Sequence, residues 1–527
     1  MRLLSLFICL LISLYSCCSY ATALSNENLK VEQAIINAMN VFNVPGVAVA
    51  IVQNNQIVFS QGFGVKEYGK SDQVTPDTLF GIASNTKAMT VALLAQLVDQ
   101  YKISWQTKIV DVLPEFQLYN DAVTQDFTLI DLLSHRSGLG MGTGDLLIWP
   151  NTTYTNKEVF DKLKYLPQAA SFRTEFAYNN LMYIVAGKVV EKITGKPWSD
   201  VIQSNLFNGL GMYNSFASFS QLGDKQKDIA TPHVFIEKEL IVAKSHYLEG
   251  FSSAGSVIST VNDMSLWLKI LLNLGKINSE KTTRFKLLYT SNQAKKMWQP
   301  HTLRTVSEAA TEYDKTHFSA YGLGWFLNDF QGVKLVHHSG SMQGMVSKVA
   351  LIPEKNLGVV ILTNQESRAA LNAIYREVFE AYLGLAEKDW VEYYYQQENR
   401  ILKQEKKRLN KIESHLAELS SPPLALEKYA QTYVDKWYGE VKVQLKNNKL
   451  LLQFNNTPAL KGELIHYKNN TFIVRWHDRK LEADAFVSFV VTSEGSISYT
   501  TMEAISYLTD FSFDFQDLHL VPKKETL

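Results

Sequence analysis

The feature that most constrains this sequence is an apolar stretch that indicates a helix buried on every side. From Ala88 to Val98 the residues read AMTVALLAQLV, a pattern typical of a helix inside a core rather than one with a wet face. Lys87 stands at its start, three residues after Ser84. The sequence therefore places an ammonium group where a helix enters an apolar interior, and this position calls for a chemical reason.

Catalysis gives such a reason. Residues three apart on a helix lie on one face within about a turn of each other. A serine hydroxyl is a poor nucleophile until a base removes its proton, and burial disfavours the charged form of a lysine. We therefore predict that Ser84 is a nucleophile and that Lys87 accepts or relays its proton, near a helix N-terminus that favours negative charge. The alternative is that Ser84 caps the helix and Lys87 extends to solvent.

A second candidate group is Y-x-N, in the segment EFAYNNLMYIVAG. Tyr178 and Asn180 precede another apolar helix, and a turn there directs both side chains into one cleft. A phenol beside the Lys87 ammonium loses its proton more readily, so Tyr178 is expected to act as general base. Asn180 would hold an acyl-side carbonyl or the lysine. The alternative for an isolated Y-x-N is an ordinary core tyrosine.

A third candidate group lies in HHSGSMQGM. Alternation along a strand sends His337 and His338 to opposite faces, so one of them lines a site and a shared metal is not expected. Gly340 is expected to leave room for a substrate backbone. The amide of Ser341, with that of Ser84, is expected to form an oxyanion hole. The alternative is a strand-end histidine without catalytic importance.

The order of these three motifs resembles the serine β-lactamase and penicillin-binding protein family, in its class C-like branch. That family carries S-x-x-K, Y-x-N and [KH]-x-G in this order, and here they read SNTK (84–87), YNN (178–180) and HSG (338–340). Further phrases over residues 30–385 look like family sequence: LIDLLSHRSGLG, YIVAGKVVEKITGKPW, AGSVISTVNDMSLWL, YGLGW and LIPEKNLGVVILTN.

The resemblance implies a β-lactamase/transpeptidase-like α/β (α+β) domain, with an antiparallel sheet flanked by helices and an all-helical subdomain. It also implies a cleft between them, an acyl-enzyme on Ser84 and neither metal nor cofactor. The β-lactamases of this branch carry K-T-G where this chain has H-S-G. A histidine supplies positive charge only when protonated, so the departure favours a peptidase-like or esterase-like site over efficient β-lactam hydrolysis.

Three functions stay open on this reading. The first is an exported serine hydrolase acting on small esters, D-amino-acid peptides or amides, or β-lactams. The second is a DD-carboxypeptidase acting on cell-wall peptides. The third is a non-catalytic protein that binds peptidoglycan or another ligand. The nucleophile elbow G-x-S-x-G of α/β-hydrolases does not occur in the sequence, which excludes that class.

The N-terminus, MRLLSLFICLLISLYSCCSYATA, predicts an export signal over residues 1–23. Its apolar run is too short for a membrane span. The chain is expected to be periplasmic or secreted, with lipid attachment at Cys17 as a weaker alternative. All three cysteines, Cys9, Cys17 and Cys18, lie in this segment, so the mature chain is expected to hold neither a disulfide nor a thiolate metal site.

Pattern changes along the chain predict three further segments. Residues 24–386 form the hydrolase domain, in which strand patterns at both ends predict one sheet built from distant parts of the chain. Residues 387–423 read as a helical linker, with Leu402, Leu409, Ile412, Leu416 and Leu419 at heptad-like spacing. Residues 424–527 alternate in short runs and predict a small antiparallel β-barrel-like domain, similar to a lipocalin-like domain. The basic and acidic residues number 52 each, so nothing argues for a nucleic-acid partner; a small acyl compound is the expected one.

Overall fold

The computed structural model describes residues 25–236, 239–243, 249–277, 286–416 and 421–524. The predicted export signal, with Cys9, Cys17 and Cys18, lies outside the described residues, as does Leu419.

An eight-stranded, wholly antiparallel sheet forms the centre of the N-terminal domain. Its strand order is β2-β1-β8-β7-β6-β5-β4-β3. The edge strand β2 pairs with β1, and β1 pairs with β8 from the far end of the domain, so distant parts of the chain build one sheet, as the sequence predicts. The strands are β1 (Gly46–Gln53), β2 (Gln56–Gly64), β3 (Thr302–Leu303), β4 (Ser319–Tyr321), β5 (Phe326–Phe330), β6 (Val333–Met342), β7 (Met345–Ile352) and β8 (Leu357–Thr363).

Side chains alternate between the two faces along each strand, and both faces are buried in apolar cores. In β1, Val47 and Val49 face one apolar core, whereas Ala48 and Ala50 face the other. The main helices are α1 (Asn26–Phe42), α2 (Thr86–Asp99), α3 (Asn156–Lys162), α4 (Leu181–Thr194), α5 (Val261–Leu272), α6 (Ser291–Met297), α7 (Arg368–Leu383) and α8 (Trp390–Leu416). Helices α1 and α7 cover the first face; α2, α4 and α5 belong to the core on the second.

Shorter elements fill the mostly helical region between β2 and β3. The short helices there are Ile109–Val112, Asp121–Asp126, Leu129–Leu133, Trp198–Ile202 and Asn208–Leu210. The short strand pairs are Phe80–Gly81 with Ile258–Ser259, His233–Ile236 with Glu239–Val242, and Lys276–Ile277 with Lys286–Leu287.

The C-terminal domain is a second eight-stranded antiparallel sheet that curls almost into a barrel. Its order is β15-β14-β13-β12-β11-β10-β9-β16, and the edges meet where Thr500 and Leu520 exchange backbone hydrogen bonds of 2.7 and 3.0 Å. The strands are β9 (Thr432–Asp435), β10 (Gly439–Lys446), β11 (Lys449–Phe454), β12 (Lys461–Lys468), β13 (Thr471–Trp476), β14 (Ala485–Val491), β15 (Ile497–Ala504) and β16 (Val521–Pro522). A short helix, Leu426–Tyr429, precedes them.

Helix α8 contacts both domains. Trp390, at its start, is buried in the core that α1 and α7 share, and near its end Ile412 packs with Ile473 and Ile505 of the C-terminal domain. Among the described helices, none has the length and apolar character that crossing a bilayer requires.

Candidate active site

Ser84 lies in a tight turn that precedes α2, rather than in the helix itself. The turn spans Ala83–Asn85, and Ala83 adopts a left-handed conformation with φ of 46°, which is uncommon for a residue with a Cβ and typical of strained functional turns. The side-chain hydroxyl of Ser347 fixes this turn. It donates to the backbone carbonyl of Ile82 at 2.7 Å and accepts from the side-chain Nδ2 of Asn85 at 2.8 Å. Ser84 is thereby held at the helix N-terminus, partly exposed in a cleft.

Lys87 is fully buried, as the apolar helix predicts. Its Nζ lies 3.0 Å from Ser84 Oγ, 2.8 Å from Asn180 Oδ1 and 2.8 Å from the carbonyl oxygen of Ala254. Burial lowers the pKa of Lys87 to about 7, although the nearby Asp145 carboxylate opposes this shift. The amine is therefore neutral in a substantial fraction of molecules near neutral pH.

The neutral amine has the geometry of a general base. It has two N–H groups and one lone pair, and the carbonyl oxygens of Asn180 and Ala254 can only accept hydrogen bonds. The two N–H groups are thus directed at those oxygens, and the lone pair is left for the hydroxyl proton of Ser84. The contacts of Lys87 match what an activated serine requires.

Tyr178 lies where the motif predicts, but its ionisation differs from the prediction. Burial raises the pKa of the Tyr178 phenol well above its usual value, and the adjacent Ser84 side chain offsets only part of that rise. The Lys87 Nζ lies 5.0 Å from the centre of the ring. The prediction that this phenol loses its proton readily is wrong, because desolvation dominates its pKa.

His338 is buried beside Tyr178, with ring centres 6.1 Å apart. Its Nδ1 donates to the carbonyl of Ser339 at 2.7 Å, and its Nε2 accepts from the Tyr321 hydroxyl at 3.0 Å. Burial, followed by the charge of Lys87, lowers the pKa of His338 to about 3. The imidazole is therefore neutral at physiological pH and supplies no positive charge in the place of the K-T-G lysine.

Gly340 and Ser341 also line the cleft, on β6. This strand continues to Met342, so His338 does not end it. The structure gives Gly340 a different reason from the predicted one: a Cβ there would lie 2.1 Å from the carbonyl oxygen of Ile82. The nucleophile turn therefore requires a glycine at this position.

Asn180 connects Lys87 to a carboxyl group that sequence reasoning missed. Its Nδ2 donates to Asp145 Oδ2 at 2.8 Å. Asp145 is completely buried, and burial raises its pKa to about 7 against the lowering effects of Asn180, Ser512 and Lys87. Lys87 and Asp145 therefore form a coupled pair, each stabilising the charged form of the other.

The C-terminal domain forms one wall of the cleft, which has a volume of about 800 Å³. Residues 480–482 and 507–513 line it, opposite Ser84. The Phe511 ring packs edge-on against Tyr178, with centres 5.9 Å apart. Gly142 accommodates this approach, since a Cβ there would lie 2.5 Å from the carbonyl oxygen of Phe511.

The cleft is largely apolar and aromatic, and the half-buried Arg304 also lines it. Its aromatic lining residues are Trp149, Phe176, Tyr178, Phe326, Tyr507, Phe511 and Phe513. The Arg304 guanidinium lies over Phe176 and Phe326, 5.0 and 4.5 Å from the ring centres. In the described part of the chain it has no ion-pair partner, whereas Arg368, also in the cleft, pairs with Asp510 at 3.4 Å. Sequence reasoning missed Arg304 because no motif surrounds it.

Among the described residues, no three or more histidine, cysteine, aspartate or glutamate side chains are placed together to hold a metal ion.

Comparison with known proteins agrees with this architecture. The β-lactamase family model matches residues 31–382, and the chain belongs to that family of serine hydrolases. A second model, for a domain of unknown function (DUF3471), matches residues 417–522. The chain is 27% identical over 438 residues to an unguisins hydrolase, ungD, of Aspergillus violaceofuscus, covering 79% of this chain and 76% of the relative. It is 24% identical over 352 residues to protein flp of Staphylococcus aureus strain N315, covering 66% and 65%.

Solved structures share the fold at lower identity. A penicillin-binding protein homologue from Pyrococcus abyssi, described as octameric, superposes with a TM-score of 0.58 at 20% identity, over 93% of this chain and 99% of that one. D-amino acid amidase from Ochrobactrum anthropi SV3 gives 0.56 at 20%, over 68% and 99%. A class C β-lactamase from Rhodobacter sphaeroides gives 0.53 at 18%, over 67% and 98%.

Proposed function

We propose that this protein is an exported serine hydrolase that forms an acyl-enzyme on Ser84 with small esters or with D-amino-acid peptides and amides. The observation that carries the proposal is the set of contacts around Lys87. A buried amine with a pKa near 7 directs its lone pair at Ser84 Oγ, 3.0 Å away, because its other two partners only accept.

The reaction follows from these positions. Ser84 Oγ attacks the substrate carbonyl while its proton passes to Lys87 Nζ, and the backbone amides of Ser84 and Ser341 are proposed to hold the oxyanion. Tyr178, whose phenol stays protonated, donates to the departing alcohol or amine and takes back a proton from Lys87. In deacylation water attacks the acyl carbon, its proton passes back along the same groups, and Ser84 leaves with its hydroxyl restored.

Two observations favour amides and esters with an apolar acyl group over β-lactams. The aromatic lining of the cleft suits an apolar side chain. His338 is neutral at the place where the β-lactamases carry the K-T-G lysine, so the charge at that position is missing. The names of two relatives, an unguisins hydrolase and a D-amino acid amidase, indicate hydrolysis of other substrates on this fold. β-Lactams are proposed as substrate mimics.

Intact-protein mass spectrometry tests the proposal. Residues 24–527 would be exposed separately to a p-nitrophenyl ester, a D-phenylalanine amide and a penicillin, beside the Ser84→Ala variant. We expect one acyl adduct, or turnover, in the wild type only. Stable acylation by the penicillin alone would favour a DD-carboxypeptidase instead. Neither adduct nor turnover with any of the three would favour a non-catalytic binding protein.

Export is a separate part of the proposal and rests on residues 1–23. Expression of the full chain in a secreting host should yield a protein whose N-terminal residue is Leu24. A mature protein that begins at Cys17 with an attached lipid would support the anchored alternative. A protein that retains residues 1–23 inside the cell would contradict export.

A further inference from the structure

A chain of hydrogen bonds runs from the C-terminal domain to the nucleophile. Ser512 Oγ donates to Asp145 Oδ2 at 2.9 Å, and Asn180 Nδ2 donates to the same oxygen at 2.8 Å. Asn180 Oδ1 then accepts from Lys87 Nζ at 2.8 Å, and that amine lies 3.0 Å from Ser84 Oγ. All the intermediate side chains are buried.

The C-terminal domain also fixes the loop that carries Asp145. Both oxygens of Asp514 accept backbone hydrogen bonds from this loop, from the amide of Gly144 at 2.6 Å and from that of Leu146 at 3.0 Å. Asp517 accepts from the Thr143 hydroxyl at 2.6 Å. The carboxyl group of Asp514 from one domain thus caps the turn Asp145–Leu147 of the other, where free backbone amides need an acceptor.

The direction of the Asn180 amide depends on Asp145. An ionised carboxylate only accepts hydrogen bonds, so it holds the NH₂ end of Asn180 and leaves the oxygen end for Lys87. With the amide reversed, its NH₂ group would compete with Ser84 for the lone pair of Lys87. A carboxylate at position 145 therefore determines whether that lone pair is available to Ser84.

We propose that Asp145 and Ser512 are positioning residues, which hold Asn180 so that Lys87 can act on Ser84, and that the C-terminal domain is thereby part of the catalytic centre. Ser512 acts by stabilising the carboxylate form of Asp145. This inference rests on the proposed function of Ser84 and Lys87, and extends it to residues of the second domain.

Other titratable groups lie around Lys87 and Asp145 and affect how the reaction rate depends on pH. Around Lys87 are the rings of Tyr178 and Tyr183 and the imidazoles of His135 and His338, whose pKa values burial and Lys87 lower. Around Asp145 are Asp510 and Asp514, of which Asp510 raises the pKa of Asp145 and Asp514 itself has its pKa raised well above the usual value by burial. Ser512 carries no charge, so removing its hydroxyl leaves this background unchanged.

The test is the rate constant of Ser84 phosphonylation by a neutral fluorophosphonate, measured on the full chain from pH 5 to pH 10. The variants are Ser512→Ala and Asp145→Asn. Ser506→Ala is the control, because Ser506 lies earlier in the same loop, where its hydroxyl accepts from the amide of Leu508. Because Ser512 stabilises the carboxylate form of Asp145, Ser512→Ala should lower the rate about tenfold on the acidic side of the midpoint. The loss should be smaller at pH 10, where Asp145 ionises without that hydrogen bond.

The pH of half-maximal rate distinguishes positioning from simple support of the fold. It should fall in Asp145→Asn, because Lys87 loses the negative charge that favours its ammonium form. It should rise in Ser512→Ala, because without the Ser512 hydrogen bond Asp145 needs a higher pH to ionise. Ser506→Ala should match the wild type. An unchanged half-maximal pH in Ser512→Ala, with wild-type labelling intact, would overturn only the positioning role of Asp145 and Ser512. Wild-type protein that is not labelled at Ser84 would overturn both the proposed function and the positioning role of Asp145 and Ser512.

Discussion

The amine of Lys87 sets the pH range in which the proposed reaction runs. The base must be neutral, and burial places the pKa of Lys87 at about 7, so kcat/KM should rise as the pH increases through about 7. Because Asp145 has a pKa raised to about 7, the midpoint belongs to the pair. Initial rates with a neutral ester from pH 5 to pH 9 measure it. Lys87→Ala should abolish turnover; near wild-type activity in that variant would contradict the mechanism.

The hydroxyl of Tyr178 can be removed with little change in packing. The ring lies 4.2 Å from that of His135 and 5.9 Å from that of Phe511, centre to centre, contacts that phenylalanine keeps. Tyr178→Phe should therefore lower kcat about a hundredfold, the size expected for loss of a proton-transfer group, with KM nearly unchanged. Steady-state kinetics on one amide substrate test this. Activity within a few-fold of the wild type would show that Lys87 alone transfers the proton.

Arg304 offers a test of carboxylate recognition. It lies over Phe176 and Phe326 and lines the cleft, and burial strengthens its attraction for an anion. Arg304→Gln should raise KM about tenfold for a substrate with a free carboxylate and leave KM for its methyl ester unchanged. The matched pair of substrates is its own control. Equal losses on both would assign Arg304 to the fold rather than to recognition.

The sequence predicts some residues of this site and not others, for a physical reason. Ser84 and Lys87 are three residues apart, so a helical turn alone brings them together, and the motif order indicates Tyr178 and Asn180. Asp145 and Ser512 are separated by 367 residues, and no periodicity reports such a contact. The raised pKa of Tyr178 was missed because desolvation depends on burial, which the local sequence does not contain.

At the scale of elements, β6 and the nucleophile turn depend on each other through Gly340. A Cβ at this position would lie 2.1 Å from the carbonyl oxygen of Ile82 and 2.5 Å from Ser347 Oγ. Gly340→Ala should therefore displace the turn that carries Ser84, lowering both the melting temperature and the acylation rate, each beyond experimental error. Gly209→Ala is the control, because a Cβ there meets no atom within 4 Å. Unchanged melting and acylation in Gly340→Ala would show that the turn adapts.

Elements with a clear period were predictable, and their mutual contacts were not. An Asn-Asn pair between two β-rich runs indicates a short hairpin, and one joins β1 and β2. Asn54 and Asn55 have φ of 49° and 64°, the left-handed backbone that such turns require. Helix α8 also forms, but its predicted heptad positions differ in burial: Leu402 is 50% exposed, while Ile412 is buried. Of the heptad positions, Leu409, Ile412 and Leu416 belong to the cluster with Ile473 and Ile505, and this contact depends on where the second domain lies.

At the scale of the whole molecule, the two domains together determine the ionisation of Glu366, which lies between β8 and α7. Its side chain accepts from the amide of Gly344 at 3.1 Å. Burial, with smaller contributions from Asp510 and Glu482 of the C-terminal domain, raises the pKa of Glu366 to about 7 against the lowering effects of the Gly344 amide and Arg368. The folded protein thus binds a proton here that the unfolded chain releases near pH 4.5.

The sign of the resulting pH dependence follows from linkage. A carboxyl group whose folded pKa is raised contributes stability at low pH, and this contribution is lost as the pH rises from about 4.5 through about 7. Glu366→Gln keeps an acceptor for Gly344 and cannot ionise. Its melting temperature relative to the wild type should therefore be higher at pH 8 than at pH 5, by about 1–3 °C. Melting curves at both pH values measure it, with the exposed Glu494→Gln as control. A difference that stays constant, or that falls with rising pH, would contradict a buried carboxyl shared by the two domains.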